Sequence, residues 1–295
     1  MMTASRSMNR NVTQISRSNG ASFVSSKEPL TLDAIRIAAP SVFAEDKHAS
    51  RSNRYTYIPT VQVVEHLMSK GYGVFAVSQS GSRDEDKRGH TKHMIRFRDL
   101  NQTIDTVGQT FFEQVLTNAH DGTSAWRFMA GIYRLACSNG LIVSESSIAD
   151  IRIKHSGNVL EEVAQGVARL GYEMPKLAGS IQEMQQLRLT NDEQRVFAQA
   201  ALTLKHGEEP PIKPETALQV RRSQDAEPTL WNTLNRVQEA LIRGGDRYVR
   251  RGEDKYGRPT IQRRKTNAVN SVSGLTGINR ALWTLAEEMK KIKTA

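Results

Sequence analysis

The sequence predicts an α+β protein, in which a small antiparallel sheet packed by helices is followed by a mainly helical C-terminal half. Residues 72–155 contain short runs in which apolar and basic side chains alternate, and this period of two is typical of strands with one buried face. Residues 158–295 repeat apolar positions every three or four residues, which is the spacing of amphipathic helices. We expect a disordered basic tail over 1–28, an α+β core over 29–157 and a mainly helical region over 158–295.

The first expected elements follow the tail. Residues 1–28 are rich in Ser, Asn, Thr and Arg and have almost no apolar periodicity, which is typical of a flexible segment. Ile58, Pro59 and Thr60 then open an amphipathic helix that Gly71 ends. The apolar run YGVFAVSQ follows as a strand, and SGSRDEDKRGH is a solvated turn.

Two predicted strands repeat an apolar-in, basic-out pattern. TKHMIRFRD sends His93, Ile95 and Phe97 to one face, and ADIRIKH alternates two isoleucines with two cations. TFFEQVLTNAH and LIVSESS are two further strands. If these strands share one sheet, its basic side chains form a groove that tracks a nucleic-acid backbone. The predicted groove residues are Lys92, Arg96, Arg98, Arg152 and Lys154.

A helix is predicted between these strands. Asp121, Gly122 and Thr123 lead into it, and its apolar face carries Trp126, Met129, Ala130, Tyr133 and Cys137 before Asn139 and Gly140 end it. Cys137 is the only cysteine of the chain, which excludes an internal disulfide and a multi-cysteine zinc module. At this spacing we expect a buried core thiol.

The second half is predicted to contain five helices besides a short one in the Pro-containing connection. The first two cover residues 158–172 and 181–189, and a capping box from Thr190 to Glu193 opens the third. The segment 229–245 repeats apolar residues at 230, 234, 237 and 241. The last helix spaces six apolar residues by threes and fours, which predicts a face packed in the core or, alternatively, a seam for a partner: Leu275, Ile278, Leu282, Leu285, Met289 and Ile292.

The positive charge of the chain is local. The net charge is +10, and residues 243–270 hold nine Lys or Arg against three acids. Clustered cations of this kind release counterions from a phosphate backbone, so they favour a polyanion-binding surface. The insertion at 246–265 reads as an exposed hairpin or a flexible loop whose tyrosines can stack on bases. Its predicted binding residues are Arg247, Tyr248, Arg250, Arg251, Lys255, Tyr256, Arg258, Arg263, Arg264 and Lys265.

Other chemistries have weaker support. His90 and His93 are three residues apart at the start of a strand, which places them on opposite faces, so no metal site is predicted. The acids Asp84 to Asp86, or Asp150 with Lys154, leave a metal-dependent nuclease as a third hypothesis. Phosphate-loop and dinucleotide signatures are absent from the sequence, and no cofactor is expected.

Several separated motifs resemble an uncharacterised family of phage, plasmid and integrated-element proteins, the YafZ/YfjQ-like family. They are APSVFA, SNRYTYIPT, HTKHMIRFR, NRVQEALIRGG and RALW, and the resemblance spans roughly residues 28–290. It implies a mobile-element habitat and transfers no catalytic residue. The element order from about 59 to 140 also looks like the core of Rad52- and Redβ-type annealing proteins, which is an analogy of architecture.

The leading hypothesis is a non-enzymatic mobile-element protein that binds single-stranded DNA without sequence preference and promotes strand annealing in recombination. Annealing would imply a homo-oligomer. The alternative is an anti-defence protein that inhibits a host nuclease or CRISPR complex, so a host defence or recombination protein is the second partner class. We expect the sheet groove to be the primary surface and the insertion to be an accessory clamp. No membrane partner is expected, because the sequence has no run of about 18 apolar residues, and without a secretory signal the protein should be cytoplasmic.

Overall fold

A computed structural model describes most of the chain and divides it into two compact units. The described residues are 12–16, 20–46, 48, 57, 59–101, 110–124, 126–134, 141–143, 150–153, 159–253, 255–269 and 271–295. The first unit holds those up to 173 except 141–143, and the second holds 141–143 and those from 174 onward. Within these ranges no helix has the length and apolar character needed to cross a membrane.

The protein is α+β, as predicted, with its main sheet in the first half and a mainly helical second half. The strands are β1 Val12–Ser16, β2 Ser22–Ser26, β3 Tyr72–Gln79, β4 His93–Asp99, β5 Thr110–Asn118, β6 Trp126–Arg134, β7 Leu141–Val143, β8 Asp150–Ile153, β9 Arg247–Glu253 and β10 Pro259–Lys265. The helices are α1 Leu32–Ala38, α2 Thr60–Ser69, α3 Val159–Gln186, α4 Asn191–His206, α5 Pro214–Ala217, α6 Leu230–Arg243 and α7 Val272–Thr294.

The sheet of the first unit is antiparallel throughout. Its strands lie in the order β1, β2, β3, β4, β5, β6, β8, and α2 packs against β3. The apolar face of α2 buries Val63, Val64 and Leu67, and the centre of the sheet buries Ile95 and Phe97. The predicted strand YGVFAVSQ coincides with β3, because its continuous apolar run suits a strand that is buried on both faces.

The predicted helix around Trp126 is wrong, because residues 126–134 form strand β6. This strand pairs with β5 along its length and with β8 near its start. Trp126, Phe128 and Ala130 alternate along the strand and are buried, and so is Met129 between them. A short segment that is apolar on both faces fits a buried strand as well as a helix, and pairing with its neighbours decides between them. Cys137 lies outside the described residues.

The predicted disordered tail is wrong over the part that the structure describes. Residues 22–26 form β2, which pairs with β3 from Ser22 opposite Gln79 to Ser25 opposite Ala76. Val24 is buried within this pairing. A single buried valine between serines gives little periodicity in the sequence, so only the neighbouring strand reveals the element.

The second unit packs α4, α6 and α7 around a common core. Its largest fully buried side chains include Phe197 and Trp283, and all four apolar positions predicted for α6 are buried. The capping box at the start of α4 is present as predicted. The first two predicted helices are one helix, α3, which contains Pro175.

The apolar face predicted for the last helix is wrong in detail. Of its six residues only Leu282 is buried, and Ile292 is 72% exposed. The buried stripe of α7 lies on an adjacent face that includes Asn279, which accepts a hydrogen bond from Gln238 Nε2 at 2.8 Å. A buried polar contact of this kind cannot be identified from apolar spacing.

Candidate nucleic-acid interface

Residues 247–265, called the basic hairpin below, form a two-stranded antiparallel ribbon of β9 and β10. Arg247 lies opposite Lys265 at its base. Within the described part of the chain no third strand pairs with the ribbon, so its edges present open backbone groups. Both strands are exposed throughout, except that Tyr248 and Thr260 are partly covered. The predicted hairpin is therefore confirmed, and the alternative of a flexible loop is wrong.

Each strand of the basic hairpin carries three cations. They are Arg247, Arg250 and Arg251 on β9 and Arg263, Arg264 and Lys265 on β10. In the described ranges none of the six makes an ion pair. The whole hairpin has eight Lys or Arg and two acids, a net charge of +6. Because these cations repel one another, a bound polyanion would lower their electrostatic energy.

The strand register sorts the side chains of the ribbon onto two faces. Directly opposed residues share a face and successive residues alternate. The apolar residues Val249 and Ile261 lie on the same face and are 56% and 72% exposed. The cations of that face are Arg247, Arg251, Arg263 and Lys265, and those of the other face are Arg250 and Arg264. A pocket at the base of the hairpin is lined by Arg247, Tyr248, Val249, Arg263, Arg264 and Lys265.

The tip of the hairpin presents an aromatic ring among cations. Tyr256 is 70% exposed. Lys255 Nζ lies 4.8 Å and Arg258 Cζ 5.6 Å from the centre of its ring. Gly257 follows with a φ of 76°, a conformation that favours glycine in a tight turn. The tip therefore combines a surface for base stacking with charges for phosphate.

Hydrogen bonds hold the base of the hairpin on the helical unit. Thr266 N donates to Asp246 O at 2.9 Å, and Asp246 N donates to Thr266 Oγ1 at 3.1 Å. Arg221 Nη2 pairs with the Asp246 carboxylate at 2.9 Å, and Lys205 Nζ donates to Asn267 O at 2.9 Å. Burial lowers the pKa of Lys205, and Asp246 opposes that shift. The ribbon thus starts from a fixed position although its strands are exposed.

The predicted exposure of Arg96 and Arg98 in a sheet groove is wrong. Both donate to the carboxylate of Glu113 on β5, Arg98 through Nε at 2.6 Å. Glu113 is fully buried and Arg96 is 6% exposed, while the Arg98 guanidinium stacks on Phe75 at 4.1 Å from the ring centre. Both cations are thus paired with one buried carboxylate, because buried charges require partners.

The remaining predicted groove residues lie towards the other end of the sheet. Lys92 is partly buried, and burial together with the nearby Arg127 lowers the pKa of its ammonium group. β6–β8 pairing places Arg127 directly opposite Arg152. Lys154 lies outside the described residues. Sequence reasoning missed Arg127, because it placed this residue in a helix. A strand assignment would have put Arg127 beside the other basic positions.

Sequence reasoning also missed a buried network around Thr60. Thr60 Oγ1 lies 2.9 Å from His93 Nε2 and 2.9 Å from His120 Nε2, and it accepts from Asn118 Nδ2 at 3.1 Å. Ser41 Oγ lies 3.0 Å from His93 Nδ1, and all five residues are fully buried. Burial, with a smaller contribution from His120, lowers the pKa of His93 well below its ordinary value. The network joins α2 to β4 and β5.

Of the acids considered for metal chemistry, Asp84 to Asp86 lie in an exposed turn and Asp150 begins β8. Asp84 pairs with Lys87 at 3.4 Å, and Glu85 pairs with Arg88 at 2.7 Å. His90 lies in the same turn, before β4, rather than on the strand as predicted. Across the ranges that the structure describes, no group of three or more His, Cys, Asp or Glu residues could hold a metal ion.

Comparisons with known proteins place the chain among uncharacterised relatives. The profile of the family described as "Domain of unknown function (DUF932)" matches residues 47–289. Two Escherichia coli (strain K12) proteins, UPF0380 protein YafZ and UPF0380 protein YfjQ, are each 38% identical over 279 residues, which cover 93% of this chain and 96% of theirs. No solved structure matches. The architectural analogy with Rad52-type proteins stays a prediction, and its closing helix is strand β6 here.

Proposed function

Because the chain belongs to the family of unknown function DUF932, whose description names no activity, we propose a function from the geometry of the site. The protein binds nucleic acid through the basic hairpin, largely without sequence preference. The sheet groove predicted as the primary surface has a smaller role, since its two central arginines are committed to Glu113.

One observation carries the proposal. The six strand cations of the hairpin are exposed and, within the described residues, have no acidic partner, whereas Arg96 and Arg98 each bond a buried carboxylate. When such closely spaced cations bind a phosphate backbone, they release its condensed counterions, and this release favours binding. Clustered contacts of this type supply affinity that does not depend on base sequence.

The test is excision of the hairpin. Its ends are already joined by the hydrogen bonds between Asp246 and Thr266, so residues 247–265 can be replaced by a two-residue Gly-containing turn without separating them. Fluorescence anisotropy with a labelled oligonucleotide should show at least a tenfold loss of affinity at low salt.

A control variant that loses three exposed cations elsewhere separates this loss from a general charge effect. Lys70, Arg169 and Lys213 are exposed cations outside the hairpin, and their joint replacement by Gln should leave affinity within a few-fold. Both variants should keep the wild-type circular dichroism spectrum and melting temperature. Unchanged affinity of a folded excision variant would disprove the proposal.

Annealing, inhibition of a host defence complex and nuclease activity stay predictions from the sequence. Each has a direct assay: the rate at which complementary oligonucleotides pair, capture of one host nuclease or CRISPR complex, and cleavage with Mg²⁺ or Mn²⁺. Whether the ligand is single- or double-stranded is a separate question.

A further inference from the structure

We propose that the basic hairpin enters the major groove of double-stranded DNA with the Val249 and Ile261 face against the base edges. The two cations that each strand carries on that face then lie against the nearer phosphate wall. This inference rests on the proposed function and specifies its ligand. It replaces the single-stranded ligand expected from the sequence, because that expectation depended on an exposed sheet groove.

The distribution of charge between the two strands is the first argument. On the face of Val249 and Ile261 two cations lie on β9, Arg247 and Arg251, and two lie on β10, Arg263 and Lys265, so both edges of that face are basic. A single nucleic-acid strand has one backbone and would neutralise one row. A duplex groove has a phosphate backbone on each side and matches two rows.

The dimensions of the ribbon agree with this arrangement. Paired strands lie about 4.8 Å apart, so two strands with their side chains fill a groove about 12 Å wide. Each strand has seven residues. At about 3.4 Å per residue they reach roughly 24 Å along the groove. The ribbon is not paired with another described strand, so its full width is available.

The exposed apolar residues are the second argument. Val249 and Ile261 are 56% and 72% exposed on one face of an otherwise polar ribbon. Water does not favour such side chains, but the major-groove floor offers the methyl group of thymine. That contact orients the ribbon, and it is absent from the A-form RNA duplex, whose major groove is too narrow to enter.

The first measurement compares ligands for the full-length protein. We expect tighter anisotropy binding to a 20-base-pair A·T-rich DNA duplex than to either of its single strands or to the matching RNA duplex. Equal or tighter binding of the single strand or the RNA duplex would overturn the groove proposal, provided that hairpin excision still abolishes binding. If excision changes nothing, it is the proposed function that fails.

The second measurement tests the two edges. One variant replaces Arg247, Arg250 and Arg251 by Gln, and the other replaces Arg263, Arg264 and Lys265. On the duplex each should lower the slope of log affinity against log salt by about 1.8, because two of the three replaced cations face the groove and each phosphate contact contributes about 0.9. An effect confined to one edge would contradict insertion between two backbones.

The third measurement tests the face and the groove. Replacing thymine by uracil in the duplex removes the major-groove methyl groups and should weaken wild-type binding about three- to fivefold. The double variant Val249→Ser, Ile261→Ser should bind the two duplexes equally, with an unchanged salt slope. Both side chains are exposed, so the fold should tolerate the change. Identical wild-type affinities for thymine and uracil duplexes would reject the major-groove assignment.

Discussion

Glu113 shows how a single buried carboxylate can engage the basic side chains of a strand. It lies on β5 across from the end of β4, and its carboxylate accepts hydrogen bonds from Arg96 and Arg98. Three charged groups are thereby held inside the sheet with a net charge of +1. Such a group stabilises the fold only while every member keeps its partners.

Replacing Glu113 by Gln should lower the free energy of unfolding by about 3–5 kcal/mol, because the buried Arg96 and the partly buried Arg98 lose their counter-charge. Urea denaturation measures this change. The exposed pair Arg188 and Glu227 supplies the control, and Glu227→Gln should leave the urea midpoint close to the wild-type value. Equal midpoints for the two variants would show that the buried ion pairs are unimportant.

His93 makes the stability of the first unit depend on pH. Its folded pKa lies well below the ordinary value of 6.5, chiefly because the ring is buried. The unfolded chain therefore binds a proton that the folded chain does not. The full stability is present above pH 6.5 and is lost as the pH falls from 6.5 towards the folded pKa.

Urea denaturation at pH 5, 6, 7 and 8 should show this loss, with a slope of up to about 1.4 kcal/mol per pH unit from this one proton below pH 6.5. His93→Gln removes the titrating group and should flatten the slope while lowering stability at pH 8. If the unfolding free energy of that variant still changed with pH at the wild-type slope, the pH dependence would come from other groups.

At the scale of elements, the junction between α6 and the basic hairpin depends on glycine. Gly244 has a φ of 63°, and a Cβ atom there would lie 2.6 Å from the carbonyl carbon of Asn267. Gly245 has a φ of 89°, but a Cβ atom would meet nothing within 4 Å. A side chain at Gly245 would therefore cause backbone strain alone, whereas a side chain at Gly244 would cause both backbone strain and a steric clash.

Gly245→Ala should cost about 1–3 kcal/mol of unfolding free energy from backbone strain alone. Gly244→Ala should cost more, since its Cβ also displaces the returning chain after β10. Thermal unfolding, with amide exchange of Thr266 as a probe of the hairpin base, measures both effects. Equal losses in the two variants would mean that the close approach at Gly244 is relieved without cost.

At the scale of the whole molecule, positive charge is concentrated rather than spread. The basic hairpin holds +6 of a net charge of +10, so excision leaves +4. A concentrated charge binds counterions and polyanions more strongly than the same charge dispersed over a surface.

Elution from immobilised heparin should reflect this concentration. The excision variant should elute at much lower salt than the wild type, and the variant with Gln at Lys70, Arg169 and Lys213 should shift little. For duplex DNA, phosphate contacts of the four cations on the Val249 and Ile261 face predict a salt slope of about −3.6 for the intact protein. A slope close to zero would show that the hairpin cations do not contact phosphate.

The sequence predicted the secondary-structure elements better than it predicted the binding surface. β3, the capping box of α4, the buried positions of α6 and the exposed hairpin were all predicted. Each depends on neighbours in the chain, through apolar period, capping chemistry or turn residues. Helix α7 was predicted with the wrong buried face, because adjacent apolar stripes differ only in what packs against them.

By itself, the sequence determined the α+β class and the location of the excess positive charge, since periodicity and charge are properties of consecutive residues. Only the tertiary structure decided that residues 126–134 are a strand and that Arg96 and Arg98 are paired with Glu113. The physical reason is the same in both cases. Strand pairing and buried ion pairs are made with partners distant in the chain, and those partners are identified only when the sheet is assembled.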